Sequence, residues 1–222
     1  LDKVYIKPYK VMDKHGNGTV VTVAAGINCA IRDGVDVINI SIGFEEDSEI
    51  LKSAIRKAEE NDIVVVSAAG NDASDAIYYP ASYNTVLKVT AITEENIFAN
   101  FSSFGNGVDI AAPGVNITTT NMGGGYITVK GTSFASPFVA AAAAAITSVI
   151  PNASSEDIRE IISLSALEVN EYESEKKFGS GILFMPYYNE DLIHANKTDE
   201  PYFSHIPAYY TENVNLEIFC ED

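Results

Sequence analysis

Ser133 lies within Gly131-Thr132-Ser133-Phe134-Ala135-Ser136-Pro137, where a glycine turn gives way to the alanine-rich run Phe138 to Ile146. The first N–H groups of a helix have no intrahelical partners and carry the positive end of its dipole. A hydroxyl placed there can serve as a nucleophile, with backbone donors ready for the oxyanion it creates. A lone serine at such a position can equally be an ordinary N-cap. A second residue with chemistry is Asn71, which follows the apolar run and glycine of Ser67-Ala68-Ala69-Gly70-Asn71-Asp72. Its amide falls at the carboxyl edge of an expected parallel strand, where open α/β sheets place ligands. Aimed at the same point as the Ser133 backbone, it would complete a two-donor oxyanion hole; alone, it reads as a turn residue after Gly70.

Such residues need a rigid frame, and the chain alternates strand-like and helical patterns. Strands are expected over Val4 to Met12, Val35 to Ile42, Ile63 to Ala69 and Thr85 to Ala91, with helices near Thr19 to Arg32 and Glu49 to Asn61. This alternation predicts an α/β fold, a doubly wound and mostly parallel sheet with helices on both faces. Val35 to Ile40 and Ile63 to Val66 are apolar and β-branched at nearly every position, as strands covered on both faces are. Asp33-Gly34 and Asn61-Asp62 read as helix ends, and Ser154-Ser155-Glu156-Asp157 as a capped helix start. Between Phe98 and Val129 the Gly, Asn and Thr content predicts loops and an antiparallel excursion. Pro137 falls in what reads as the first turn of the Ser133 helix, where proline is tolerated.

The chain has 222 residues, 46% of them hydrophobic, enough for one large core and a small appendage. Fourteen basic against 31 acidic residues give a net charge of −17, without a basic cluster, which argues against nucleic acid as a partner. The longest unbroken apolar run, Phe138 to Ile146, is too short to be read as a membrane span. Cys29 and Cys220 make no metal spacing, and Cys29 is expected as a buried free thiol. After about Leu192 the composition changes. Residues 193 to 201 read as a polar linker, and 202 to 222, with alternating Val214, Leu216 and Ile218, as the start of a truncated β-sandwich module.

Six ordered blocks carry a resemblance. They are Val37-Ile38-Asn39-Ile40-Ser41-Ile42-Gly43, Val65-Val66-Ser67-Ala68-Ala69-Gly70-Asn71, Tyr79-Pro80-Ala81-Ser82-Tyr83, Phe101-Ser102-Ser103-Phe104-Gly105, Ala111-Ala112-Pro113-Gly114 and Gly131 to Pro137. Together they resemble the subtilisin-like serine proteases over residues 1 to 192, roughly the C-terminal two thirds of a catalytic domain. The resemblance implies a serine endopeptidase acting on polypeptides, with Ser133 as nucleophile through an acyl-enzyme and Asn71 as oxyanion donor. It also implies that Ser41, Ile42 and Gly43 face Ala68, Ala69 and Gly70 as two rims binding an extended substrate by strand addition. Tyr78 is expected at the floor of the first specificity pocket, where its ring would favour small side chains. Carbonyls near Ala81, Tyr83 and Val86 resemble a weak cation site, with no carboxylate to strengthen it; no other cofactor is implied.

The family's acid and base do not match any residue of this sequence. His15 follows what resembles the strand after the catalytic histidine and reads as a surface turn residue. His194 and His205 match nothing, and Asp13 and Asp109 resemble structural positions. The resemblance therefore implies an N-terminal segment carrying Asp and His ahead of Leu1, without which the chain is expected to be inactive. A catalytically dead relative that binds peptides or partners is the alternative. Extracellular or cell-surface residence follows from the family only. A sheet lacking flanking strands is further expected to self-associate through its exposed edge.

Overall fold

The computed structural model describes residues 4–76, 78–169 and 174–185. Four strands, β1 (Val37–Ile40), β2 (Val64–Ala68), β3 (Val86–Ile92) and β4 (Ile110–Pro113), form one parallel sheet in that order. Val37 pairs with Val64, Val65 with Val86 and Val89 with Ile110, so successive strands run in register from one edge to the other. Helices cover both faces, as the alternation of elements requires. Val65, Val86 and Ile40 pack with Val23 and Ile27 of α1 (Val20–Arg32) and with Leu51 and Ile55 of α2 (Glu49–Glu60). Val64, Val66, Leu87 and Val89 pack on the other side against α3 (Thr132–Val149) and α4 (Ser155–Ser165). Every residue of β3 is buried, Lys88 and Thr90 included, as expected for a strand covered on both faces.

Helix α3 is 18 residues long and apolar, but its length is spent crossing the sheet, where it packs on β1, β2, β3 and β4. Its alanines allow the close approach, with Ala135, Val139 and Ala143 each fully buried. Local signals set the ends of its neighbours. Thr19 caps α1, and Ser154 caps α4 in a reciprocal box with Asp157. An antiparallel hairpin of β5 (Ile117–Thr120) and β6 (Tyr126–Val129) supplies the expected excursion before α3. The short α5 (Ser174–Phe178) buries Phe178 beside Ile92 and Ala111.

Two expectations are corrected. Val4 to Met12 is not a strand among the described residues; Met12 alone makes a bridge, to Gly18. Strand formation needs a hydrogen-bonding neighbour, and this segment instead ties to α1, with Tyr9 Oη donating to Asp33 at 2.7 Å and Lys7 paired to the same carboxylate at 2.8 Å. Cys29 is free but only half-buried, because it sits at the border of the apolar face of α1 with Arg32 Nη2 at 3.1 Å from its sulfur. The linker at 193–201 and the module at 202–222 lie outside the described residues, as do His194 and His205.

Candidate active site

Ser133 is the second residue of α3, because Gly131, not the serine, occupies the N-cap. Gly131 has φ +148, a conformation glycine reaches without penalty, and this sharp turn presents Thr132 and Ser133 at the sheet's carboxyl edge. The serine is thus not a cap, and its position in the first turn leaves its N–H among those without an intrahelical partner.

Pro137 proves to be the sixth residue of α3, deeper than the first turn the sequence suggests. A proline there removes the hydrogen bond to the carbonyl four residues earlier, which is that of Ser133. The hydroxyl of Ser41, just beyond the end of β1, supplies the missing donor at 3.1 Å and also lies 3.1 Å from Ser136 Oγ. The carbonyl orphaned by the proline is thereby tied to the strand that faces it.

Asn71 is held by Thr132. Its Oδ1 accepts the Thr132 N–H at 2.8 Å and lies 3.1 Å from Thr132 Oγ1. An N–H can meet only the oxygen of a carboxamide, so this bond sets the amide's orientation and turns its NH2 away from Thr132. Thr132 Oγ1 also accepts the Gly70 N–H at 3.2 Å, which fixes the turn that carries Asn71. Sequence reading did not single out Thr132. The only signal was its place between Gly131 and Ser133.

Ser133, Thr132 and Asn71 meet in one cleft of about 240 Å³, whose walls also include Ser41, Ile42 and Gly43 on one side and Ala68 and Gly70 on the other. Tyr78 and Asp72 complete it. Ala69 does not line it: its side chain is fully buried and its N–H donates to Val89 O. The Tyr78 ring lies between the two rims. A Cβ added at Gly43 would meet Tyr78 Cβ at 2.8 Å, and one added at Gly70 would meet the ring at 3.0 Å. Glycine at both positions is what admits the ring. The Tyr78 hydroxyl is hydrogen-bonded to Asp72, and that carboxylate holds the phenol above its ordinary pKa.

Among the described residues no histidine lines the cleft. His15 is exposed in a turn where its N–H donates to Asp13 Oδ1, and Asp13 is held below the usual carboxylate range by this bond and that from Asn17. Asp109 points elsewhere. Its Oδ2 accepts the Lys88 N–H at 2.7 Å, and burial, opposed by that bond and by the Lys88 and Arg159 charges, raises its pKa to about 6. At the turn before β3, the Tyr83 carbonyl already accepts the Val86 N–H, and Ala81 is buried.

A doubly wound parallel sheet with a serine presented on the first turn of its central helix, opposite an anchored asparagine, is the architecture of a serine hydrolase. The chain belongs to the subtilase family, a family of serine proteases whose Peptidase_S8 profile matches residues 1–181. It is 40% identical over 166 residues to subtilisin DY of Bacillus licheniformis, covering 73% of this chain and 61% of that protein. It is 36% identical over 174 residues to a thermostable alkaline protease of Halalkalibacterium halodurans, covering 78% of this chain and 47% of that one. Its fold is similar to that of the patellamide maturation protease PatA, with a TM-score of 0.70 and 31% identity over 78% of this chain and 68% of that chain. The chain spans roughly half of the alkaline protease and under two thirds of subtilisin DY.

Proposed function

We propose that this chain carries the nucleophile, the oxyanion donor and the substrate rims of a subtilisin-type endopeptidase. The observation that supports this best is the bond between Thr132 N–H and Asn71 Oδ1, which orients the Asn71 amide in the cleft that Ser133 also lines. In this reading the Ser133 hydroxyl attacks a peptide carbonyl, and the bond from Ser133 Oγ to carbon forms as the carbonyl oxygen takes the negative charge. The Ser133 N–H and the Asn71 amide stabilise that oxygen, and collapse of the adduct expels the amine and leaves an acyl-enzyme. An extended polypeptide lies between Ser41-Ile42-Gly43 and Ala68-Gly70 by main-chain pairing. The Tyr78 ring narrows the slot for the first side chain, which favours small residues there.

The proton on Ser133 needs a base, and the base needs an orienting acid. We assign both to a segment outside the described residues, seated along β1, whose outer edge has no strand beside it among the described residues. Without that segment the turnover should be negligible. In subtilisin, a member of this family and the source of the figure, loss of the nucleophile or the base costs about 10⁶-fold. The same free edge leads us to propose self-association of the chain when it is isolated, and the family resemblance a location outside the cell. We assign no metal to the turn at Ala81, Tyr83 and Val86.

Labelling of the complete protein with a fluorophosphonate tests the reading. Modification mapped to Ser133 and abolished by Ser133→Ala is expected. A protein that binds peptides yet leaves Ser133 unlabelled would instead be a partner-binding relative without catalysis.

A further inference from the structure

A second cavity, of about 380 Å³, shares no lining residue with the Ser133 cleft. It is built around Lys88. In β3, Leu87 and Val89 pack toward α3, so the side chain between them leaves the sheet on the opposite face. There Lys88 is only 5% exposed, yet its ammonium lines the cavity with one long contact, 3.4 Å to the Asn106 carbonyl. An ammonium has three donors, and among the described residues no carboxylate lies within ion-pair distance of Lys88. Asp109 attracts it from farther away while spending Oδ2 on the Lys88 backbone N–H.

Buried ammonium groups are normally paired, because desolvation without a counter-charge is costly. Gly107 leaves room for this one: a Cβ there would come within 3.2 Å of Lys88 Nζ. Lys176 lines the same cavity, and its carbonyl is anchored by the Gly105 N–H at 2.8 Å, which fixes α5 at the rim. Lys88 and Lys176 both line this cavity, in a chain of net charge −17. Asp75 is the carboxylate on the lining, and it is exposed.

We propose that this cavity binds a small oxyanion, a phosphoryl or carboxylate group held by Lys88, with Lys176 and Asp75 on the same lining. The group would give the buried ammonium the charge partner that the described residues do not supply.

Isothermal titration of the full chain with inorganic phosphate, and separately with acetate, at ionic strength held by chloride tests this. Saturable one-site binding of at least one anion is expected, and the anion bound identifies the head group. Lys88→Met should weaken it roughly 10- to 100-fold, the loss of a charge-assisted hydrogen bond. Asp75→Asn alters an exposed side chain, leaves the fold intact, and should tighten binding by about two- to fivefold. Absence of saturable binding by both anions would overturn the proposal. So would binding that Asp75→Asn leaves unchanged or weakens, or that a folded Lys88→Met variant retains in full.

Discussion

Thr132→Val isolates the bond network on which the candidate site depends. Valine has nearly the shape of threonine, and position 132 is fully buried, so the change opens no cavity and removes only the hydroxyl. That hydroxyl accepts the Gly70 N–H and lies within 3.2 Å of the Gly70 carbonyl and 3.1 Å of Asn71 Oδ1. The Gly70 carbonyl retains the Ser103 N–H at 2.9 Å, and Asn71 Oδ1 retains the Thr132 N–H, so neither acceptor is abandoned. The Gly70 N–H is. A donor left unsatisfied in a partly buried turn costs about 1 to 3 kcal/mol, and that is the expected loss of unfolding free energy. Urea denaturation, with an unchanged m-value, measures it. Thr132→Ser keeps the hydroxyl and should lose less. A valine variant within about 0.5 kcal/mol of the parent, the usual range of inconsequential substitutions, would refute the reasoning, because the hydroxyl would then not be holding the Asn71 turn.

Asp109 should make the chain less stable as pH rises. Its folded pKa of about 6 lies above the ordinary 3.8, so its contribution is fully present below about pH 4 and is lost as pH rises through 6. At roughly 1.4 kcal/mol per unit, the stability of the parent relative to Asp109→Asn should fall by about 3 kcal/mol between about pH 3 and 7; parallel pH profiles would contradict this. Tyr78→Ala should shift the preferred first substrate residue toward Phe or Leu in a peptide library on the complete protein, whereas a parent that already prefers those residues would show that the ring does not fill the slot. Ser41→Ala should cost about 1 to 2 kcal/mol with Pro137 present and clearly less in a Pro137→Ala background, where a backbone N–H can reach the Ser133 carbonyl. Equal costs in both backgrounds would break the link between the proline and the serine.

How much of this the sequence disclosed follows from what each feature depends on. The sheet was legible because strands such as Val64 to Val66 are buried on both faces, and such burial leaves an apolar, β-branched run that needs no partner to be recognised. The positions of Ser133 and Asn71 were legible for a similar reason, since a glycine before a helix and a glycine after a strand are local marks of φ > 0, at +148 and +115. Val4 to Met12 has strand-like residues, but a strand is a relation between two segments, and the described residues offer it no neighbour. Thr132 and Ser41 were read less well because their hydroxyls act across 61 and 92 positions of chain, on Asn71 and on Ser133.

These two hydroxyls fix the cleft at opposite walls. The proline that orphans the Ser133 carbonyl makes that carbonyl available to the β1 side, and the glycine that turns the chain into α3 frees the Thr132 N–H for Asn71 on the β2 side. A helix with an alanine at 137 would satisfy the Ser133 carbonyl internally and would have no need of Ser41. What reads locally as a flaw in the helix is thus the means by which its first turn is bound to two neighbouring strands. The geometry between Ser133 and Asn71 is therefore set by the sheet, the most deeply buried part of the molecule, rather than by the loops around it.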